Sequence, residues 1–90
     1  RTHPVSGKKT IYVNSTFTKS IVGMKPKESA AILNFLCEHV NSVEYTCRFH
    51  WEKNSLAIWD NRATQHSVVA DNLKARRRVE RVTICGDEPF

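Results

Sequence analysis

The chain has 90 residues, with 14 Lys and Arg against 9 Asp and Glu, a net charge of +5 and a pI near 9.4. That length allows about one small domain with a marginal core, and the apolar runs are too short for a membrane-spanning helix or a secretory signal. The basic residues are scattered (Lys8 and Lys9, Lys25 and Lys27, Arg76 to Arg78) and only the last group is a cluster. Charge therefore makes a poor case for nucleic acid, and neither a nucleic-acid nor a membrane partner is expected.

Residues 4–9 (PVSGKK) predict a turn with exposed lysines, and Thr10 to Val13 a short β-branched and aromatic strand. Asn14 to Ser20 is polar and hydroxyl-rich and reads as a loop around an isolated Phe17. A large apolar side chain there either anchors the loop or forms one wall of a pocket. Pro26 to about Val40 predicts the one helix. Pro26 suits its first position, Glu28 favours the dipole, and Ile32, Phe35, Leu36 and Val40 recur at helical spacing. Lys25 is a poor N-cap.

Val43 to Trp51 alternates: Val43, Tyr45, Cys47, Phe49 and Trp51 share one face, and Glu44, Thr46, Arg48 and His50 the other. With a turn at 52–55 and a return strand from Leu56 to Trp59, this predicts a hairpin. Two polar loops follow, at 60–65 and 71–74, and Arg76 to Cys85 predicts a last strand. One helix among several strands, without a βαβ rhythm, predicts a mainly β protein of the sandwich or barrel kind. Four or five strands make only part of such a structure, so open edges are expected. The chain starts at Arg1 and ends at Phe90 after Gly86-Asp87-Glu88-Pro89, and is expected to be part of a longer protein.

Cys37, Cys47 and Cys85 are widely spaced and odd in number, with no C-x-x-C pair. No disulfide framework or zinc site is expected; a reducing cytoplasm and buried, apolar roles are.

The chemistry concentrates between Trp59 and Arg81, where Arg77 and Arg81 stand eleven and fifteen residues after His66. On a strand, Arg77, Val79 and Arg81 share a face, the two guanidinium-bearing residues about 13 Å apart. Inward-turned arginines need an anion, and their planar fork fits a carboxylate or sulfonate. The plainer reading is a solvated basic edge with Glu80 as partner. His66 is either a hydrogen-bonded structural residue or a nitrogen donor to iron, which would need a second histidine and a carboxylate from elsewhere. Trp59 either packs in a core or lines a cavity beside such a metal. His50-x-Glu52 has suitable spacing for a metal but reads as solvent-facing, and His3 and His39 read as surface or helix residues.

The segments RTHPVSGKKTIYVN, FTKSIVGM, WDNRATQH and RRRVERVTICGDEPF together resemble the C-terminal portion of the TauD-type (taurine dioxygenase) family of Fe(II)- and 2-oxoglutarate-dependent dioxygenases, over essentially the whole chain. The resemblance implies a double-stranded β-helix (jelly-roll, cupin-like) fold, with residues 1–90 as the C-terminal part of a single domain. It implies Fe(II) as cofactor and 2-oxoglutarate as cosubstrate, with a small sulfonate such as taurine hydroxylated by O2 to release sulfite, succinate and CO2. His66 matches the distal histidine of the H-x-D…H iron triad, and Arg77 the arginine that pairs with the far carboxylate of 2-oxoglutarate. Arg81 matches the arginine that meets the sulfonate, Phe17 an aromatic wall of the substrate pocket, and Trp59 a tryptophan close to the iron.

Departures are Lys25 before the helix proline, Lys53-Asn54-Ser55 in the turn, and Ser67 where a bulkier aromatic is common. The H-x-D half of the triad is absent, so the 90 residues alone are expected to be inactive. A related dioxygenase acting on an alkyl sulfate or aryloxy acid is the nearer alternative, and a basic nucleic-acid-binding module the farther one. Homo-oligomerisation at full length stays open.

Overall fold

Helix α1 spans Pro26–Val40, as the sequence predicts. Lys25 holds extended backbone angles and supplies no side-chain cap; Pro26 enters the first turn, where its missing N–H costs nothing. The N–H groups of Asn41 and Ser42 close the other end on the carbonyls of Glu38 and His39. The computed structural model describes residues 1–71, 74, 76 and 78–88.

The helix does not present its expected face. Ser29 and Leu33 are its buried residues, Leu36, Cys37 and Val40 are half-buried, and Ile32 and Phe35 are exposed. The inward stripe is thus rotated toward a polar position. The reason is a hydrogen bond: the Ser29 hydroxyl, 2% exposed, accepts the Ile21 N–H at 2.8 Å and ties the preceding loop to the helix. Ser29→Ala would leave that N–H without its partner. A loss of about 1 kcal/mol is expected in chemical unfolding of the whole protein.

The mainly β, jelly-roll expectation is not met. Among the described residues there is one helix, one short 3-10 helix at Val43–Tyr45, and a single antiparallel bridge between Thr2 and Lys9, with no sheet. Among the described residues, the expected strands at 10–13, 43–51, 56–59 and 76–85 do not form ladders. Their local signals survive: the turn at 52–55 closes through Ser55 N–H to the Glu52 carbonyl at 3.1 Å, with Asn54 at φ 67°. Phe49 and Trp51 also share a face, their ring centroids 4.9 Å apart. An isolated hairpin is marginal in water without a third strand or a covering layer, and no described residue covers this segment: Leu33 is the sole buried hydrophobic residue among those described.

The same shortage shows in the dimensions. The accessible surface is 8884 Å², against about 5,400 Å² for a compact protein of this mass. The radius of gyration is 16.0 Å, against about 12 Å for a compact chain of this length. The cysteines follow suit: Cys37 is half-buried, but Cys47 and Cys85 are exposed rather than core residues. No described helix is long and apolar enough to cross a membrane.

Candidate functional site

Two polar turns frame the site. The first, at 1–10, is closed by His3 N–H to the Lys8 carbonyl and Gly7 N–H to the His3 carbonyl, both 2.8 Å, with Gly7 at φ 68°. Inside it sits the His3 ring, expected at the surface but only 9% exposed. Its Nδ1 accepts the N–H groups of Val5 (3.3 Å) and Ser6 (3.1 Å), which puts the ring proton on Nε2, 3.0 Å from Asp60 Oδ2.

Asp60 opens the second turn. Its carboxylate accepts the Arg62 N–H at 2.9 Å and the Arg62 guanidinium at 2.8–3.2 Å, while its carbonyl receives Ala63 N–H, Thr64 N–H and Thr64 Oγ1. The hydrogen bonds from the Arg62 side chain, then from His3, hold the Asp60 carboxyl well below the usual carboxylate range, and the same pairing raises Arg62. A carboxylate with a depressed folded-state pKa adds stability that is complete above the ordinary value of about 4 and is lost as pH falls toward the lowered one. Asp60→Asn places an amide N–H group among these donors. It is expected to speed hydrogen exchange at Ala63 and Thr64 near neutral pH and to flatten the acid limb of the stability profile.

The second turn delivers Gln65 and His66 to an open groove of about 360 Å³, lined by Asn14, Phe17, Asn61, Gln65, His66 and Arg81 among others. Three of the sequence-predicted site residues, Phe17, His66 and Arg81, therefore meet on one cavity although they lie up to 64 positions apart (81 − 17). Trp59 is not a lining residue: it packs against the His66 ring, centroids 4.6 Å apart at 47°, and its Nε1 donates to Asn61 Oδ1 at 3.0 Å. Arg77 lies outside the described residues. Arg78 pairs with Glu80 at 2.8 Å in full exposure, so this part of the basic run is the solvated edge of the plainer reading.

His66 is exposed and makes no hydrogen bond among the described residues, so its ring nitrogens are open to a ligand. As a metal centre the arrangement is incomplete. No three His, Cys, Asp or Glu side chains come together among the described residues in a way that could hold a metal ion, and His50 with Glu52 forms no such cluster. What is present fits iron as one nitrogen donor of a larger set. Asn14, Asn61 and Gln65 were not singled out by sequence reading. Asn14 heading a hydroxyl-rich run carries an Asx-turn signal; Gln65 carries none.

The chain is 43% identical to an alpha-ketoglutarate-dependent sulfonate dioxygenase of Saccharomyces cerevisiae, over 99% of this chain and 22% of that protein. It is 42% identical to an alpha-ketoglutarate-dependent sulfate ester dioxygenase of Pseudomonas putida (99% and 29%). With an alkylsulfatase of Acinetobacter baylyi it shares 39% identity (94% and 26%). The chain spans about a quarter of the length of the curated relatives it matches. No solved structure gives a significant match. The family model described as taurine catabolism dioxygenase TauD, TfdA family, matches residues 1–83. With that match across nearly the whole chain and a groove that joins His66, Phe17 and Arg81, the chain belongs to the TauD/TfdA dioxygenase family.

Proposed function

We propose that the protein carrying this chain is an Fe(II)- and 2-oxoglutarate-dependent dioxygenase acting on a small sulfonate, with residues 1–90 as the C-terminal part of a single catalytic domain and a cytoplasmic home. The observation that carries this reading is the shared groove: an exposed imidazole, a guanidinium and an aromatic side chain lining one cavity. Fe(II), when held by His66 and an H-x-D pair from the rest of the domain, supplies together with 2-oxoglutarate and O2 the power to oxidise a C–H bond.

The chain's own residues bind and orient. Arg81 offers its donor fork to the sulfonate, and the exposed Phe17 ring closes the groove on the alkyl part of the substrate. Trp59 backs the His66 ring and, through Asn61, ties it to the Asp60 turn. Arg77 takes the far carboxylate of 2-oxoglutarate. Such fixed placement is what converts a reactive centre into a selective one.

A second reading, a sulfate ester as substrate, is supported by the likeness to the sulfate ester dioxygenase and the alkylsulfatase. Arg81 would meet either anion in the same way. The test is a panel of alkanesulfonates, alkyl sulfates and aryloxyacetates presented to the whole protein with Fe(II) and 2-oxoglutarate. Sulfite release with a sulfonate is expected; sulfate release from esters alone would favour the second reading, and turnover of aryloxyacetates alone would exclude both.

A further inference from the structure

Asn14 and Gln65 line the groove, and their amide groups face each other across it. The Asn14 side chain is used at both ends. Its Oδ1 accepts the N–H groups of Thr16 at 2.8 Å and Phe17 at 3.3 Å, which shapes the turn that holds Phe17 out. That turn is closed further by Thr18 N–H on the Asn14 carbonyl (2.8 Å) and by Asn14 N–H on Thr18 Oγ1 (2.9 Å). Its Nδ2 donates to Gln65 Oε1 at 3.4 Å, and Gln65 Nε2 donates to the Val13 carbonyl. Neither amide can be turned over without setting donor against donor or acceptor against acceptor.

Gln65 is the residue next to His66, and Asn14 is the head of the Phe17 turn. Among the described residues these two bonds are the hydrogen bonds that join 13–18 to 61–66, across 51 and 52 positions of sequence. We propose that Asn14 and Gln65 form an amide latch that fixes the distance of the Phe17 wall from His66, and thereby sets which length of alkyl sulfonate or sulfate the groove accepts. This rests on the dioxygenase reading above. The latch residues are positioning residues: they hold the wall and the metal ligand apart, and the reacting atoms lie between.

The test uses the whole protein with Gln65→Leu, which keeps the side chain's bulk and removes both bonds. Asn14→Ser keeps a side-chain oxygen for the Thr16 and Phe17 N–H groups and removes the donor to Gln65 without adding a charge to the groove. For alkanesulfonates of two to six carbons, both variants are expected to raise KM for the parent's best chain length by about two- to tenfold and to shift the optimum by at least one carbon. The KM for 2-oxoglutarate is expected to stay within about twofold. The double variant is expected to be no worse than Gln65→Leu, because the bond lost in the Asn14 variant is already lost there.

A parental chain-length profile in both variants overturns the proposal. Additive losses do so too, since they would mean that Gln65 touches substrate directly. Hydrogen exchange at the Thr16 and Phe17 amides judges the latch without turnover: faster exchange in Gln65→Leu is expected, and unchanged exchange removes the latch by itself. If the parent consumes no 2-oxoglutarate with any anion, the specificity claim falls with the dioxygenase reading, and the exchange result shows separately whether the latch exists.

Discussion

Replacing His66 by alanine in the whole protein is expected to lower Fe(II) affinity by at least about 100-fold, since changes in the outer shell of a metal site alone cost up to that much. The thermal midpoint of the metal-free protein is expected to stay close to the parent's. The two halves of this expectation come from one observation. The His66 imidazole is exposed, bonds to no described residue and rests against Trp59. Its loss therefore removes little buried surface and no hydrogen bond to a described residue, and what remains to be lost is a ligand. Anaerobic titration with Fe(II), or with Co(II) as a redox-inert probe, reads the first half, and calorimetry the second. Unchanged metal affinity would return His66 to the structural role that a lone histidine more commonly has. A large fall in stability with unchanged affinity would do the same.

The second large effect is expected at Arg81. It lines the groove and has no carboxylate partner among the described residues, in contrast to Arg1, Arg62 and Arg78, which are paired with Asp87, Asp60 and Glu80. A guanidinium aimed at a cavity rather than a protein carboxylate is available for an anionic ligand. Hydrogen bonds to a charged group contribute about 1.5–3 kcal/mol, so Arg81→Ala is expected to raise the sulfonate KM roughly 10- to 100-fold with a small effect on 2-oxoglutarate. Arg77→Ala is expected to do the reverse. Equal losses of both ligands in either variant would sink the division of labour, and unchanged sulfonate affinity in Arg81→Ala would point to another substrate. Arg81→Lys should recover part of the loss, because a point charge remains but the planar fork does not.

Local signals in the sequence were strong where the chain can satisfy itself. Pro26, Glu28 and the helical apolar spacing are enough to define α1, and the alternation at Phe49 and Trp51 puts their rings on one side. The strands were not reachable in this way. A strand's hydrogen bonds close only on a neighbour, and Phe49, Trp51, Ile58, Val82 and Ile84 remain exposed for want of a covering layer. Side-chain-to-backbone bonds also escape pattern reading. Ser29 turned the helix's buried stripe away from Ile32 and Phe35, and His3 left the expected surface to bridge two turns. Of the site, Phe17, His66 and Arg81 were legible through the family resemblance, which carries their roles from motif to motif. Periodicity could not have joined positions so far apart. Asn14 and Gln65 were illegible because their meaning lies in facing each other.

The most direct test of the central claim is the stoichiometry of turnover by the whole protein with Fe(II), O2 and an alkanesulfonate. Consumption of 2-oxoglutarate is expected to rise on adding the sulfonate, with one succinate and one sulfite formed per 2-oxoglutarate, and His66→Ala is expected to abolish both products. No 2-oxoglutarate consumption with any sulfonate, sulfate ester or aryloxyacetate, in protein shown to be folded and loaded with Fe(II), would contradict it.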